Sequence, residues 1–512
     1  MNAQFPRVVI VGAGASGLCL AIQLRQHGYK SITILDKSTD VGGTWLDNIY
    51  PGCGCDVPSM LYSYSFALNY NWSRKYAPQS EILGYFRDCA DRFEVRQHIR
   101  FGTEVTEAVF DEPTSTWQVR TDQGEVFEAD VFVSAVGQLN RPKMPDIEGR
   151  DSFSGWSFHS AQWDSEFDPV NRVVAVIGSG ASAIQLVPKI AETARTVLVF
   201  QRSPNWVSRR HDYRYPSLIQ FAFRWIPGVA KLHRLWIYAL SELRILLYQR
   251  KTLLNRGLTA WLTFRMARQL PQRLHASVIP KYPAGCKRVL VSNDYLQSLN
   301  RENVEVVSDR IRSITAQGIV TNQGTTSVDA VIYATGFEAS KFLYPMEIIG
   351  RGGQRLNESW QHRPRTYLGM MCANFPNFFM LYGPNTNLGH NSIIFMVECQ
   401  VRYIIRCLQT MQLQEIVSIE ISDDAVEAFD LELQSQLRKK VWNGYVSSWY
   451  KTHTGHIINN WGGSTLSYRA RTQNPNWELF AKVHAEDEPE SGPADPHCKP
   501  RSHASRRRSP AR

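Results

Sequence analysis

No run of apolar residues approaches the ~18 that a membrane-spanning helix needs. No disulfide framework can be read either: the nine cysteines, at 19, 53, 55, 89, 286, 372, 399, 407 and 498, are odd in number and irregular in spacing. Cys53 and Cys55 have no second pair at zinc-ligand spacing, so no metal site is expected. Low-complexity sequence is missing up to about residue 483, and an apolar strand pattern that begins by Arg7 leaves no room for a signal or transit peptide. A reduced, cytoplasmic globular enzyme is the expectation. Acidic residues are scarce in one place: residues 201–275 hold 14 Lys or Arg against two acids. That local excess of +12 exceeds the whole net charge of +10, so the pI of 9.1 is no nucleic-acid footprint of the entire protein, and no nucleic-acid partner is expected.

What is present begins with a nucleotide-binding pattern. Residues 7–11 (RVVIV) form an apolar β-rich run ending in Gly12-Ala-Gly14-Ala-Ser-Gly17, a helical pattern follows, and residues 31–35 (SITIL) lead to Asp36. Glycines so placed let the backbone approach a pyrophosphate at a helix N-terminus. Asp36, 22 residues after Gly14, stands where a carboxylate accepts a hydrogen bond from an unphosphorylated ribose, as in FAD or NAD.

The pattern recurs. Residues 172–177 run into Gly178-Ser179-Gly180-Ala-Ser182-Ala183, and the strand 196–200 is followed by Gln201-Arg202-Ser203. Here an arginine replaces the acid, again 22 residues after the second glycine. A carboxylate would repel a 2′-phosphate, whereas a guanidinium binds it through charge-assisted hydrogen bonds. The contrast assigns FAD to the first site and NADPH to the second.

Two longer motifs lie between the two glycine turns. Residues 153–164 (FSGWSFHSAQWD) fill every fixed position of F-x-G-x-x-x-H-x-x-x-W-[PD]. Residues 42–56 (GGTWLDNIYPGCGCD) do the same for G-G-x-W-x-x-x-x-Y-P-G-x-x-x-D. Both resemble the fingerprints of the Baeyer–Villiger monooxygenases, class B flavoproteins. Flavin disulfide reductases share the two dinucleotide sites, but their C-x4-C spacing is missing. The resemblance spans roughly residues 5–480 and implies an α/β fold: two Rossmann-like dinucleotide-binding domains, for FAD and NADP, with a helical insertion in the second.

The expected boundaries are 1–150 for the first part of the FAD domain, 151–170 for the fingerprint linker and 171–330 for the NADP domain. The insertion occupies about 211–275, the FAD domain resumes over 331–483, and 484–512 form a disordered tail. The implied activity is NADPH- and O2-dependent oxygenation of a ketone to an ester or lactone through a C4a-peroxyflavin. The alternatives are N- or S-oxygenation by the same flavin chemistry and, from another class, a non-catalytic FAD/NADP redox sensor.

The resemblance also places residues. Arg288 would stabilise the peroxide and the oxyanion, paired with Asp56, because arginine alone keeps its charge at every working pH. Lys287 would join Arg202 and Ser203 on the 2′-phosphate, while Ser179 and Ser182 belong to the second glycine turn. Gly43, Thr44, Trp45 and Asn385 would line the flavin site, and Trp449 would close over NADP. His159 reads as a linker residue coupled to domain rotation, not an acid or base. Residues 211–275, helical in spacing, mix Trp, Tyr and Leu with cations. They suggest a helical subdomain, or a weak peripheral membrane contact.

Overall fold

The computed structural model describes residues 5–361, 363–444, 448–452 and 454–485; the expected tail lies, beyond residue 485, outside them. Two five-stranded parallel sheets organise the chain. The first runs, in spatial order, Phe378–Met380, Val131–Ser134, Val8–Val11, Ile32–Leu35 and Ile99–Arg100. Val8–Val11 and Val131–Ser134 are buried at every residue, as continuous β-branched runs in doubly covered parallel sheets are. The second runs Val304–Val307, Thr196–Phe200, Val173–Ile177, Ala330–Tyr333 and Trp156–His159.

Two features differ from the sequence reading. The fingerprint stretch is not simply a crossing: Trp156–His159 pairs parallel with Ala330–Tyr333 as an edge strand of the second sheet, Tyr333 opposite His159. Alternating apolar residues over 98–133 predict a β-meander; the observed one is narrower, because Ile99–Arg100 pairs with Ile34 and Leu35 in the first sheet. Val105–Asp111, Thr116–Thr121 and Val126–Ala129 form the antiparallel meander, with Glu347–Ile349 added parallel to its first strand. Trp117 joins it to the first sheet, packing on Phe132 and Phe378 and donating its indole N–H to the Pro376 carbonyl at 2.8 Å.

Helix Ala15–Gln26 packs against Ile393–Leu413, whose Ser392 hydroxyl accepts the Ile394 amide as an N-cap. Between the second sheet's strand Thr196–Phe200 and its partner Val304–Val307 the chain makes the excursion expected at 211–275. It consists of helices Ser217–Trp225, Val229–Leu243, Leu253–Gln269 and Gln272–Val278 with a 3-10 turn at Arg244–Tyr248.

Candidate active site

The strands of both sheets end at one cavity of about 1860 Å³, whose wall includes residues 135–137 and 334–336 as well as both glycine turns. Pockets for one small ligand hold roughly 300–1,000 Å³, so this one has space for two nucleotides. Helices Ala15–Gln26 and Ala181–Ile190 both start here, and neither N-cap glycine, Gly14 or Gly180, supplies a side-chain cap. Two uncapped positive helix ends facing one cavity suit two pyrophosphates. Close approach demands glycine at Gly17, where a Cβ would lie 1.8 Å from the Gly12 carbonyl oxygen.

On the first side Gly14 and Gly43 face one another, with a Cβ built on Gly43 only 3.2 Å from the Gly14 Cα. Asp36 lines the cavity; its Oδ2 accepts the Ala13 amide at 2.5 Å and its Oδ1 the Ser38 amide at 2.8 Å. Each oxygen keeps a lone pair for a ribose hydroxyl. Thr44 and Trp45 are on the wall, the indole donating to Tyr62 Oη at 3.1 Å. Gln138 gives its amide N–H groups to the Tyr382 and Gly383 carbonyls, which leaves a buried Oε1 with no partner among the described residues. An acceptor stranded at the wall calls for a ligand donor, so these residues fit an isoalloxazine and its diphosphate.

On the second side Ser179, Gly180, Ser182, Arg202 and Ser203 line the cavity. Asn205 donates to the Ser179 carbonyl at 2.8 Å, and Lys287 Nζ donates to Ser203 Oγ at 2.7 Å. Burial, and then the charge of Arg202, lower the Lys287 pKa. Two cations held close enough to repel each other, one of them on the Ser203 hydroxyl, fit a phosphate dianion.

Asp56 and Arg288, 232 positions apart, meet at the cavity in a two-pronged ion pair: Nε to Oδ2 and Nη2 to Oδ1, each 2.8 Å. The carboxylate raises the arginine's pKa further, so the site carries a permanent cation. The rest of the guanidinium fork has no partner among the described residues. Around it Tyr382 and Tyr450 are buried, and the Tyr450 hydroxyl is unpaired among the described residues. Burial pushes both phenols up while Arg288 pulls them down.

The loop bearing Arg288 is braced from behind by the helical excursion. A Cβ at Gly285, where φ is +92°, would strike the Tyr248 ring at 2.8 Å, and Asn255 donates to the Ala284 carbonyl at 2.9 Å. The Tyr248 hydroxyl reaches the Gly389 carbonyl at 2.9 Å. Between the two halves of the cavity, Gln185 Oε1 accepts from Tyr50 Oη at 2.8 Å.

Most sequence-chosen residues line the cavity, among them Gly12, Gly14, Asp36, Gly43, Asp56, Gly178, Arg202, Arg288 and a 37%-exposed Trp449. Three do not. Gly17 serves helix packing, and Lys287 stands behind Ser203. Asn385 sits at φ +59° in a buried turn with its amide spent on the Ile457 and Asn460 carbonyls, while Asn387 and Asn391 face the cavity. His159 is also off the wall and 1% exposed; its Nδ1 accepts the Ala161 amide at 3.1 Å, and burial lowers its pKa. The sequence reading missed Gln138, Gln185 and Tyr248. Of these only Gln185 had a local signal, lying five residues beyond Gly180 on the helix that the glycine turn opens.

Residues 6–410 match the family of flavin-binding monooxygenase-like proteins. The chain belongs to this family. This flavin-binding monooxygenase-like protein is 38% identical over 475 residues to a Baeyer-Villiger monooxygenase of Pseudomonas aeruginosa, covering 92% of this chain and 90% of the relative. Its fold matches the crystal structure of OTEMO in complex with FAD and NADP at a TM-score of 0.85 and 28% identity, over 93% of this chain and 99% of that one. It matches an oxidized steroid monooxygenase bound to NADP at 0.83 and 31%, over 94% and 99%. Within the flavin-binding monooxygenase-like chain, Trp449 and Tyr450 lie past the residues that the family match covers.

Proposed function

We propose that this chain is an FAD- and NADPH-dependent Baeyer–Villiger monooxygenase. It inserts one oxygen atom of O2 into a ketone beside the carbonyl, giving an ester or lactone, with the other oxygen leaving as water and NADPH oxidised to NADP+. The bidentate Asp56–Arg288 pair, set where the two nucleotide turns share a cavity, is the observation that carries the reading. Similarity to the Pseudomonas aeruginosa Baeyer-Villiger monooxygenase and to the FAD- and NADP-bound OTEMO supports it.

When bound, NADPH supplies a hydride to FAD, and the reduced flavin supplies the electrons that split O2. The chain's own residues do the rest. Asp36 would take a ribose hydroxyl of the first nucleotide; Arg202 and Ser203 would hold the 2′-phosphate of the second, with Lys287 behind Ser203, and Trp449 would cover it. Asp56 fixes the Arg288 rotamer, so that the unpaired N–H groups of the fork are aimed at the carbonyl oxygen as negative charge develops there. Tyr382 and Tyr450 keep water from the reacting centre. His159, neutral and buried, transmits movement of its edge strand and holds no proton of the reaction.

The test is Arg288→Ala. This variant binds FAD and is reduced by NADPH, yet yields no ester from a panel of cyclic, aryl and long-chain ketones analysed by mass. Ester formation at the wild-type rate overturns the reading.

A further inference from the structure

More than half of the exposed large apolar side chains among the described residues fall within residues 213–264. Helix Val229–Leu243 shows how. One face, with Ile237 and Ser241, is buried against the body of the protein. The other presents Leu232, Leu235, Trp236, Leu240 and Leu243, between 43% and 68% exposed, at a spacing of three and four residues that draws one stripe along the helix. A helix that is apolar on two sides has two partners, and the structure supplies one.

The stripe has neighbours. Helix Ser217–Trp225, packed on the first, exposes Leu218, Phe221 and Trp225 at 79%, 57% and 63%. Leu253–Gln269, packed on the 3-10 turn that follows, exposes Leu254, Trp261 and Phe264. Soluble monomers rarely expose a contiguous apolar surface of this extent.

Charge decides what covers it. Arg224, Lys231, Arg244, Lys251, Arg256 and Arg268 are exposed on the same unit. Its one acid over residues 213–278, Glu242, is turned inward onto Thr465 and Asn391. Three cations lie over rings of the patch or beside it: Arg224 5.4 Å from Trp225, Arg265 5.3 Å from Trp261 and Arg268 5.6 Å from Phe264. A second copy meeting this face about a two-fold axis would set cation against cation. A layer of anionic headgroups over acyl chains complements both features, with rings and leucines entering the boundary and guanidinium groups at headgroup level. Among the described residues no helix is long and apolar enough to cross a membrane, so the helices would lie in the plane of the surface.

We propose that helices Ser217–Trp225, Val229–Leu243 and Leu253–Gln269 form a docking face for an anionic lipid surface. The full-length FAD-loaded protein is sedimented with phosphatidylcholine vesicles, with and without phosphatidylglycerol, at ~50 and ~500 mM NaCl. Binding to the anionic vesicles is expected at low salt, at least ~10-fold weaker with neutral vesicles or at high salt. The triple variant Trp225→Ser, Leu232→Ser, Trp236→Ser, all exposed positions, is expected to keep its flavin absorbance and lose vesicle binding at least ~10-fold. The proposal is overturned if the wild type binds neither vesicle, if the flavin-loaded variant binds like the wild type, or if light scattering shows a dimer that ignores vesicles and that the variant dissociates. None of these readings depends on which substrate the enzyme oxygenates.

Discussion

Gln185 and Gly54 clasp each other across the two nucleotide-binding halves: the Gln185 amide donates to the Gly54 carbonyl at 2.9 Å, and its Oε1 receives the Gly54 N–H at 3.4 Å. The same Oε1 takes the Tyr50 hydroxyl, and Gly52 presses close enough that a Cβ there would stand 2.5 Å from the Gln185 carbonyl. The motif after the first glycine turn is therefore latched onto the helix of the second.

Gln185→Ala breaks that latch. Loss of two or three part-buried hydrogen bonds is expected to cost ~1–2 kcal/mol, read by denaturant unfolding. Steady-state kinetics should show a raised KM for NADPH with FAD content unchanged, because the substitution frees one half to shift against the other without touching the flavin wall.

Arg202→Ala removes the exposed member of the cation pair beside Ser203. A lost charge-assisted contact to the 2′-phosphate predicts a fall of ~10- to 100-fold in kcat/KM for NADPH. NADH, which has no such phosphate, should be used about equally well by both proteins. An unchanged NADPH/NADH ratio would move the phosphate site elsewhere.

Acid stability reports on Glu242, which ties the helical excursion to the flavin half. Burial alone would push its carboxyl up, but contacts from His390, 3.5 Å away, and hydrogen bonds from Thr465 and Asn391 outweigh it, and the pKa is lowered from 4.5 to about 2. A folded-state pKa below the unfolded one gives stability that is complete above the unfolded pKa and lost as pH falls toward the folded one, here worth ~3 kcal/mol. Thermal unfolding of Glu242→Gln against wild type should show a gap at neutral pH that narrows through this window. A gap of constant size would mean that the carboxylate titrates normally.

Much of the site could be read from the chain because its chemistry rests on local patterns. A strand, a glycine turn and a residue at fixed spacing of one sign or the other give both nucleotide sites; the 42–56 fingerprint names Asp56, and the wider resemblance names Arg288. Their meeting across 232 positions is tertiary, and the motifs carried it only through resemblance. The Asn385 side chain is turned off the cavity wall because its amide is captured by carbonyls at 457 and 460, which no local pattern announces. Ile99–Arg100 left the meander because a parallel partner at Ile34 and Leu35 was available. On Val229–Leu243 the apolar spacing marks both sides of the helix, and only packing determines which one is turned outward.

Tyr248 over Gly285 and Asn255 on the Ala284 carbonyl have a practical corollary. The greasy outer segment invites deletion by anyone seeking a better-behaved protein, yet it is also the splint that keeps the guanidinium loop in shape. Trimming it would trade solubility for turnover, whereas polar replacement of its outward side chains alone leaves the splint intact.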